Sequence, residues 1–367
     1  TAVTSRLLTP ARLGPLHLPN RLVMAPMTRT RAAADGVPGP LMATYYAQRA
    51  SAGLIIAEAT TPNPVGQTYP NVPAIHARKH VDGWRQVTDA VRAAGGRMFL
   101  QLQHGGRIGH PDNSGGLWPI APSPVPLPDT IFTPDGHRPA VVPREMTAAE
   151  IGSTVADFAT AARNAIDAGF EGVEVHGANG YLIHQFLAGG TNRRADAYGG
   201  SVDNRLRFAL EVVHAVADAV GPSRVGLRVS PGNTTNGMRE DDAESLYPAL
   251  VAALADTGLA YLHVVFADPE QPLFRKIRDA WTSTLIANPM LPWPGPFPAD
   301  GGRQEGERLL DAGADLVALG RAFLANPDLV ARVRTGAPLN PLRDRHLMYV
   351  GGETGYTDYP LSGSPVR

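Results

Sequence analysis

Thr147-Ala-Ala-Glu150 opens a helix that runs to Ala168, Gly169 stops it, and Gly172-Val-Glu-Val-His-Gly177 follows at once. The first four residues have the form of a capping box, a hydroxyl and a carboxylate that satisfy each other's free backbone N–H groups. The glycine supplies the left-handed residue on which helices commonly end. The apolar run after it has few exposed alternates, as a strand covered on both faces should. Helix, glycine stop and buried strand together make one unit, and the fold follows from how often that unit recurs.

Apolar, β-branched runs recur at residues 21–26, 54–60, 97–104, 172–177, 224–231, 261–266, 282–288 and 316–321. Amphipathic helical stretches separate them. Residues 81–94 set Trp84, Val87 and Val91 on one face and stop at Gly95-Gly96, and residues 203–220 stop at Gly221. Eight strand–helix alternations with right-handed crossovers predict a closed (β/α)8 TIM barrel, as one domain over residues 1–367. A doubly wound sheet is the other arrangement of such units. It binds nucleotides at a G-x-G-x-x-G turn after the first strand, and the chain has no such string. Two segments break the rhythm. Residues 105–146, after strand three, hold nine prolines, and residues 289–302, after strand seven, are rich in Pro, Gly and Trp. Both lie on the C-terminal face, where barrel active sites form, and the longer one reads as a lid.

Composition narrows the function. With 33 Lys+Arg against 34 Asp+Glu the chain lacks the cationic surplus that a nucleic-acid binder needs. Its apolar runs are too short to span a bilayer, and residues 1–10 lack the apolar stretch of a secretory signal, so a cytoplasmic protein is expected. The absence of cysteine removes disulfides, thiolate metal sites and a cysteine nucleophile.

The polar residues at strand ends carry the chemistry. His176, Asn179 and Tyr181 follow one another at the mouth of strand four. His and Asn both have donors for a single carbonyl oxygen, and a tyrosine keeps its proton at neutral pH and can deliver it. Structural hydrogen bonding by the same residues is the plainer alternative. Arg228, near the end of strand five, needs an anion or a growing negative charge to offset its burial, or else an ion pair with Glu58 or Glu174. Gln101 and Thr28 add a donor and acceptors, and Gly320-Arg321 ends strand eight, where barrels hold phosphates. A planar heterocycle with a phosphate tail, such as flavin mononucleotide, suits this set. His176 and His184 are eight apart with no matching carboxylates, which is poor spacing for a metal.

Several stretches then carry a resemblance. They are Asn20-Arg-Leu-Val-Met-Ala-Pro-Met-Thr-Arg29, Gln101-Leu-Gln-His-Gly-Gly-Arg107, Val175-His-Gly-Ala-Asn-Gly-Tyr-Leu182, Asn192-Arg-Arg-Ala-Asp-Ala-Tyr-Gly-Gly-Ser201, Gly226-Leu-Arg-Val-Ser-Pro231, Ala318-Leu-Gly-Arg321 and Gly355-Tyr-Thr-Asp-Tyr-Pro360. In this order, across nearly the whole chain, the sequence resembles the Old Yellow Enzyme family of FMN-dependent ene-reductases. The resemblance implies a TIM barrel with non-covalent FMN, reduced by NADPH or NADH and oxidised by a small-molecule activated alkene. Monomer and homodimer both occur within that expectation.

By the same resemblance Pro26, Met27 and Thr28 lie against the flavin, Ala59 and Gln101 meet its pyrimidine edge, Arg228 its N1/C2 region, and Gly320 and Arg321 its phosphate. His176 and Asn179 bind the substrate carbonyl, Tyr181 protonates the α-carbon, and Tyr69 and Tyr356 wall the pocket. Gln103 stands where many members carry a tryptophan, and the usual glycine-rich turn after strand seven is replaced by Asn288-Pro-Met-Leu-Pro-Trp-Pro-Gly-Pro-Phe-Pro298. A flavin-free barrel lyase, with His176 as base and Arg228 binding an acid, and a non-cycling flavin carrier or sensor are the competing functions.

Overall fold

The computed structural model describes residues 5–364; residues 1–4 and 365–367, the ends of the 1–367 domain expected above, lie outside the described residues. Eight parallel strands close into a barrel: β1 Leu22–Met24, β2 Leu54–Thr60, β3 Met98–Leu102, β4 Gly172–His176, β5 Val225–Val229, β6 Tyr261–Ala267, β7 Leu285–Pro289 and β8 Leu316–Leu319. They follow chain order around the barrel, and β8 pairs with β1 to close it. Each expected run forms one strand, with ends that move by up to three residues.

Pleating sorts the strand side chains by parity. Val23, Leu54, Ile56, Phe99, Tyr261, Ile286, Leu316 and Ala318 pack together inside the barrel. Leu22, Met24, Ile55, Leu100, Val173, Val175, Leu227 and Val317 belong to the larger core shared with the helices. A short antiparallel hairpin, Ala11–Leu13 with Leu16–Leu18, adds Leu13 and Leu18 to the inner cluster.

Helices α1 Pro40–Ala47, α2 Arg78–Ala93, α3 Ala148–Asp167, α4 Leu182–Leu187, α5 Val202–Val220, α6 Ala243–Leu254, α7 Pro272–Ala280 and α8 Arg303–Asp311 fill the connections between successive strands, α4 and α5 both lying between β4 and β5. The capping box of α3 forms: Glu150 N–H donates to Thr147 Oγ1 at 3.1 Å and Thr147 N–H to Glu150 Oε1 at 3.0 Å. α2 starts three residues earlier than its apolar pattern predicts, because the side chain of His80 caps it. Its Nδ1 accepts from Ala77 N–H at 3.0 Å. Among the described residues no helix is long and apolar enough to cross a membrane.

The 105–146 segment folds as a hairpin, Thr130–Thr133 with Gly136–Pro139, above a two-residue pairing of Ile120–Ala121 with Arg144–Glu145. Arg194 fastens its base, donating to Pro122 O at 3.1 Å and Met146 O at 2.6 Å. The Asn192-Arg-Arg194 stretch is therefore a structural tie.

Gly226 shows how tightly the inner layer is filled. A Cβ there would lie 2.2 Å from the Tyr261 ring. Gly226→Ala is expected to destabilise the protein by about 1–3 kcal/mol through overpacking. Thermal unfolding against wild type checks this.

Candidate active site

The inward parity that packs the barrel's lower layers continues toward its C-terminal mouth with polar residues: Gln101 on β3, Glu174 and His176 on β4, Arg228 on β5, His263 on β6 and Asn288 on β7. Register sets His176 beside Arg228 and Arg228 beside His263. All of these except Asn288 are at most 5% exposed.

Glu174 is the hub of this layer. Its carboxylate accepts from Gln101 Nε2 at 2.9 Å, the Tyr261 hydroxyl at 2.8 Å and His263 Nδ1 at 2.8 Å. Burial raises its pKa, yet His263, Arg228 and Tyr261 outweigh that and leave it below the usual carboxylate value. Arg228 makes its direct contact elsewhere, with Nη2 donating to Asn288 Oδ1 at 2.8 Å, and Asn288 is itself pinned through Nδ2 to Ala318 O at 2.9 Å. Of the two carboxylates proposed as its partner, Glu174 acts on its charge from within the same layer, and Glu58 does not figure.

His176, Asn179 and Tyr181 meet above this layer. The His176 and Tyr181 rings lie 5.2 Å apart, and the Tyr181 hydroxyl is 3.1 Å from that of Tyr69. Burial, with Arg228 next in weight, drives the His176 pKa far down, so its ring is neutral. Burial likewise raises Tyr181 and Tyr69, which keep their protons. Four buried polar atoms here have no protein partner: His176 Nδ1, Asn179 Oδ1, Arg228 Nε and His263 Nε2. Unmet buried groups of this kind call for a bound partner. The set spans donors and acceptors in a layer, which fits the hydrogen-bonding edge of a flavin.

The remaining expected residues fall around the same mouth. Pro26, Met27 and Thr28 follow β1 and are half-buried, and Ala59 is buried in β2. Gly320 closes against Met27, whose Sδ would lie 3.3 Å from a Cβ at 320. The Arg321 guanidinium is flanked by the rings of Trp293 at 5.2 Å and Phe297 at 4.6 Å. Gln103 is buried with Nε2 3.5 Å from Thr68 Oγ1. From the long insertion Ile108, Leu127 and Ile131 form a small apolar cluster that packs on Tyr69 and Tyr181.

Tyr356 requires a correction. It is fully buried away from this group, stacked on Tyr45 of α1 at 4.1 Å and flanked by the guanidinium groups of Arg29 and Arg31. The aromatic that acts electrostatically on Tyr69 and Tyr181 is Tyr349, seven residues earlier and 42% exposed. Arg29 and Arg31 hold the segment carrying it. Arg29 donates to Met348 O and Gly355 O, and Arg31 to Leu347 O, Met348 O and Val350 O. Sequence reasoning also missed Tyr261, His263 and Asn288. Their only signal was a polar side chain at inward parity in an apolar strand.

The profile of the NADH:flavin oxidoreductase / NADH oxidase family matches residues 6–340. A probable flavin mononucleotide-dependent alkene reductase of Leishmania infantum is 43% identical over 97% of each chain. A 12-oxophytodienoate reductase 1 of Oryza sativa subsp. japonica is 42% identical over 97% of this chain and 93% of its own. The solved structure of morphinone reductase in complex with tetrahydroNAD superposes with a TM-score of 0.89 at 44% identity, covering 97% of both chains.

One prediction concerns the Arg29–Tyr356 cluster, where Glu58 accepts from Arg29 N–H at 3.3 Å. Burial pushes the Glu58 carboxyl up to about 7 against the pull of Arg29. Between its ordinary value of 4.5 and about 7 the folded state holds a proton that the unfolded chain has lost. Its contribution is therefore fully present below that window and is lost as pH rises through it. Glu58→Gln is expected to remove this slope, so that variant minus wild type in thermal midpoint grows from about pH 5 to about pH 8. A difference that stays flat across that range contradicts the assignment.

Proposed function

The chain belongs to the NADH:flavin oxidoreductase / NADH oxidase family, the Old Yellow Enzyme proteins, and from that premise we propose how its residues reduce the C=C bond of an α,β-unsaturated carbonyl or nitro compound. When bound, FMN would supply the hydride chemistry, with NADPH or NADH as its reductant. Arg228, Gln101, Thr28 and Ala59 hold the pyrimidine edge of that cofactor, with Pro26 and Met27 against its ring and Gly320 and Arg321 at its phosphate. The spare buried donor on Arg228 supports this most directly. Beside Arg321 the loop bearing Trp293 and Phe297 stands in for the family's glycine-rich turn.

The observation that carries the reading is the convergence of His176, Asn179 and Tyr181 at one mouth. Neutral His176 and the Asn179 amide donate to the substrate's oxygen, where charge grows as the β-carbon is reduced. Donors aimed at developing charge in a water-poor site stabilise the transition state strongly. Tyr181, kept protonated by burial, delivers its proton to the α-carbon from the opposite face, and the Tyr69 hydroxyl at 3.1 Å steadies it. Tyr69, Gln103 and Tyr349 wall the pocket. The 105–146 insertion acts as a lid, supported by its packing on Tyr69 and Tyr181. Family membership leaves the flavin-free lyase and the non-cycling carrier without support.

Two measurements test this reading. Arg228→Ala removes a charge-assisted bond worth roughly 1.5–3 kcal/mol, so FMN should bind the apoprotein about 10- to 100-fold more weakly. Unchanged FMN affinity refutes the role. Tyr181→Phe keeps the ring and removes the acid. In stopped-flow, oxidation of the reduced holoenzyme by 2-cyclohexenone should slow by about 10²–10⁴, while reduction by NADPH stays near wild type. A Phe variant with a normal oxidative step retires Tyr181 as proton donor.

A further inference from the structure

Asn179 and Gly180 are consecutive residues with φ of 59° and 84°. A Cβ at 180 would come within 2.7 Å of Asn236 Cβ, so the turn is closed to any larger residue. A turn of this shape has no ladder to satisfy its peptide groups, and side chains take that part. Asn179 N–H donates to Ser230 Oγ at 2.9 Å, and Asn236 Nδ2 donates to Asn179 O at 2.7 Å. Gln185 Nε2 donates to Gly180 O at 2.8 Å, and Gly180 N–H donates to His184 Nδ1 at 2.9 Å.

The last bond fixes the chemistry of His184. Its Nδ1 accepts, so the ring proton sits on Nε2, which faces Glu240 Oε1 at 3.2 Å. Glu240 is itself held by the Tyr247 hydroxyl at 2.6 Å and by Gly232 N–H at 3.0 Å. The side chains of His184 and Glu240 are each 1% exposed. Neither lies in the polar layer of the barrel mouth, and neither is explained by the reaction above.

We propose that His184, anchored by Glu240, is a positioning residue: it holds the Gly180 peptide and so sets the two residues on either side of it, Asn179 and Tyr181, in place over the substrate. The assignment rests on the reading of Asn179 and Tyr181 given above. His184 touches no reacting atom. It acts by fixing which way one peptide plane faces, and a displacement of about 1 Å in a positioned group can cost about 10²-fold in rate.

Two polar replacements separate this role from general support. In His184→Asn the Oδ1 stands where Nδ1 did and can still accept from Gly180 N–H. In His184→Gln the amide reaches to the Nε2 position, where its NH2 can still donate to Glu240, and leaves the Gly180 N–H unmet. Both are made as FMN-loaded enzyme beside Asn179→Ala, and 4-chlorophenol is titrated by its long-wavelength charge-transfer absorbance. The Gln variant should lose about tenfold or more in phenol affinity and in the enone step, with FMN retained, while the Asn variant stays within about threefold of wild type. Equal behaviour of the two variants, whether both near wild type or both impaired alike, overturns the proposal. Asn179→Ala with undiminished phenol affinity overturns the underlying reading of Asn179 instead, and leaves His184 nothing to position.

Discussion

A carboxylate sealed inside a closed barrel has to be met by donors on every side, and Glu174 sets that condition for the whole mouth of this one. Isolated burial of an ion costs far more than a domain's net stability. Gln101 from β3 and Tyr261 and His263 from β6 converge on it. Each thereby loses its freedom to turn. Gln101 commits its Nε2 to Glu174. Arg228 balances the charge from the same layer while it leans on Asn288. The negative charge at the centre thus orients the polar residues of the barrel mouth.

Much of the architecture was legible in the sequence because its signals are local. Helix α3 announces itself by Thr147 and Glu150, three residues apart, and by Gly169 just past its end. The eight buried strands show as mainly apolar runs. The cap of α2 was not legible, because His80 is not a usual capping residue and its role depends on the ring meeting Ala77 N–H. The strand-end residues His176, Asn179 and Tyr181 stood out because they are polar and adjacent in sequence. The Glu174 network did not, since its other members lie 73 to 89 residues from Glu174 and are joined to it only by register. Tyr356 and Tyr349 illustrate a subtler limit. The motif around Tyr356 is the conspicuous one, yet its ring is consumed by stacking on Tyr45, and the tyrosine at the mouth lies in an unremarkable stretch beside it.

The site divides its labour by layer. Groups inside the barrel are buried and mostly paired, and those above it sit on turns whose peptide groups are tied to side chains. The Asn179–Gly180 turn is held by four such ties, from Ser230, His184, Gln185 and Asn236. That gives loop residues a precision ordinarily reserved for strands.

The arginines after β1 add a matter of timing. Arg29 and Arg31 grip carbonyls 316 to 326 residues further along the chain. Contacts of such separation form late, because the intervening chain must be ordered before they can close. On the ribosome, residues 29–31 emerge long before the segment around Tyr349 exists. The barrel's strands are therefore all made before the segment that Arg29 and Arg31 hold. A chain cut before that segment would keep all eight barrel strands and the Glu174 network, yet lose Tyr349 and the carbonyls that Arg29 and Arg31 hold.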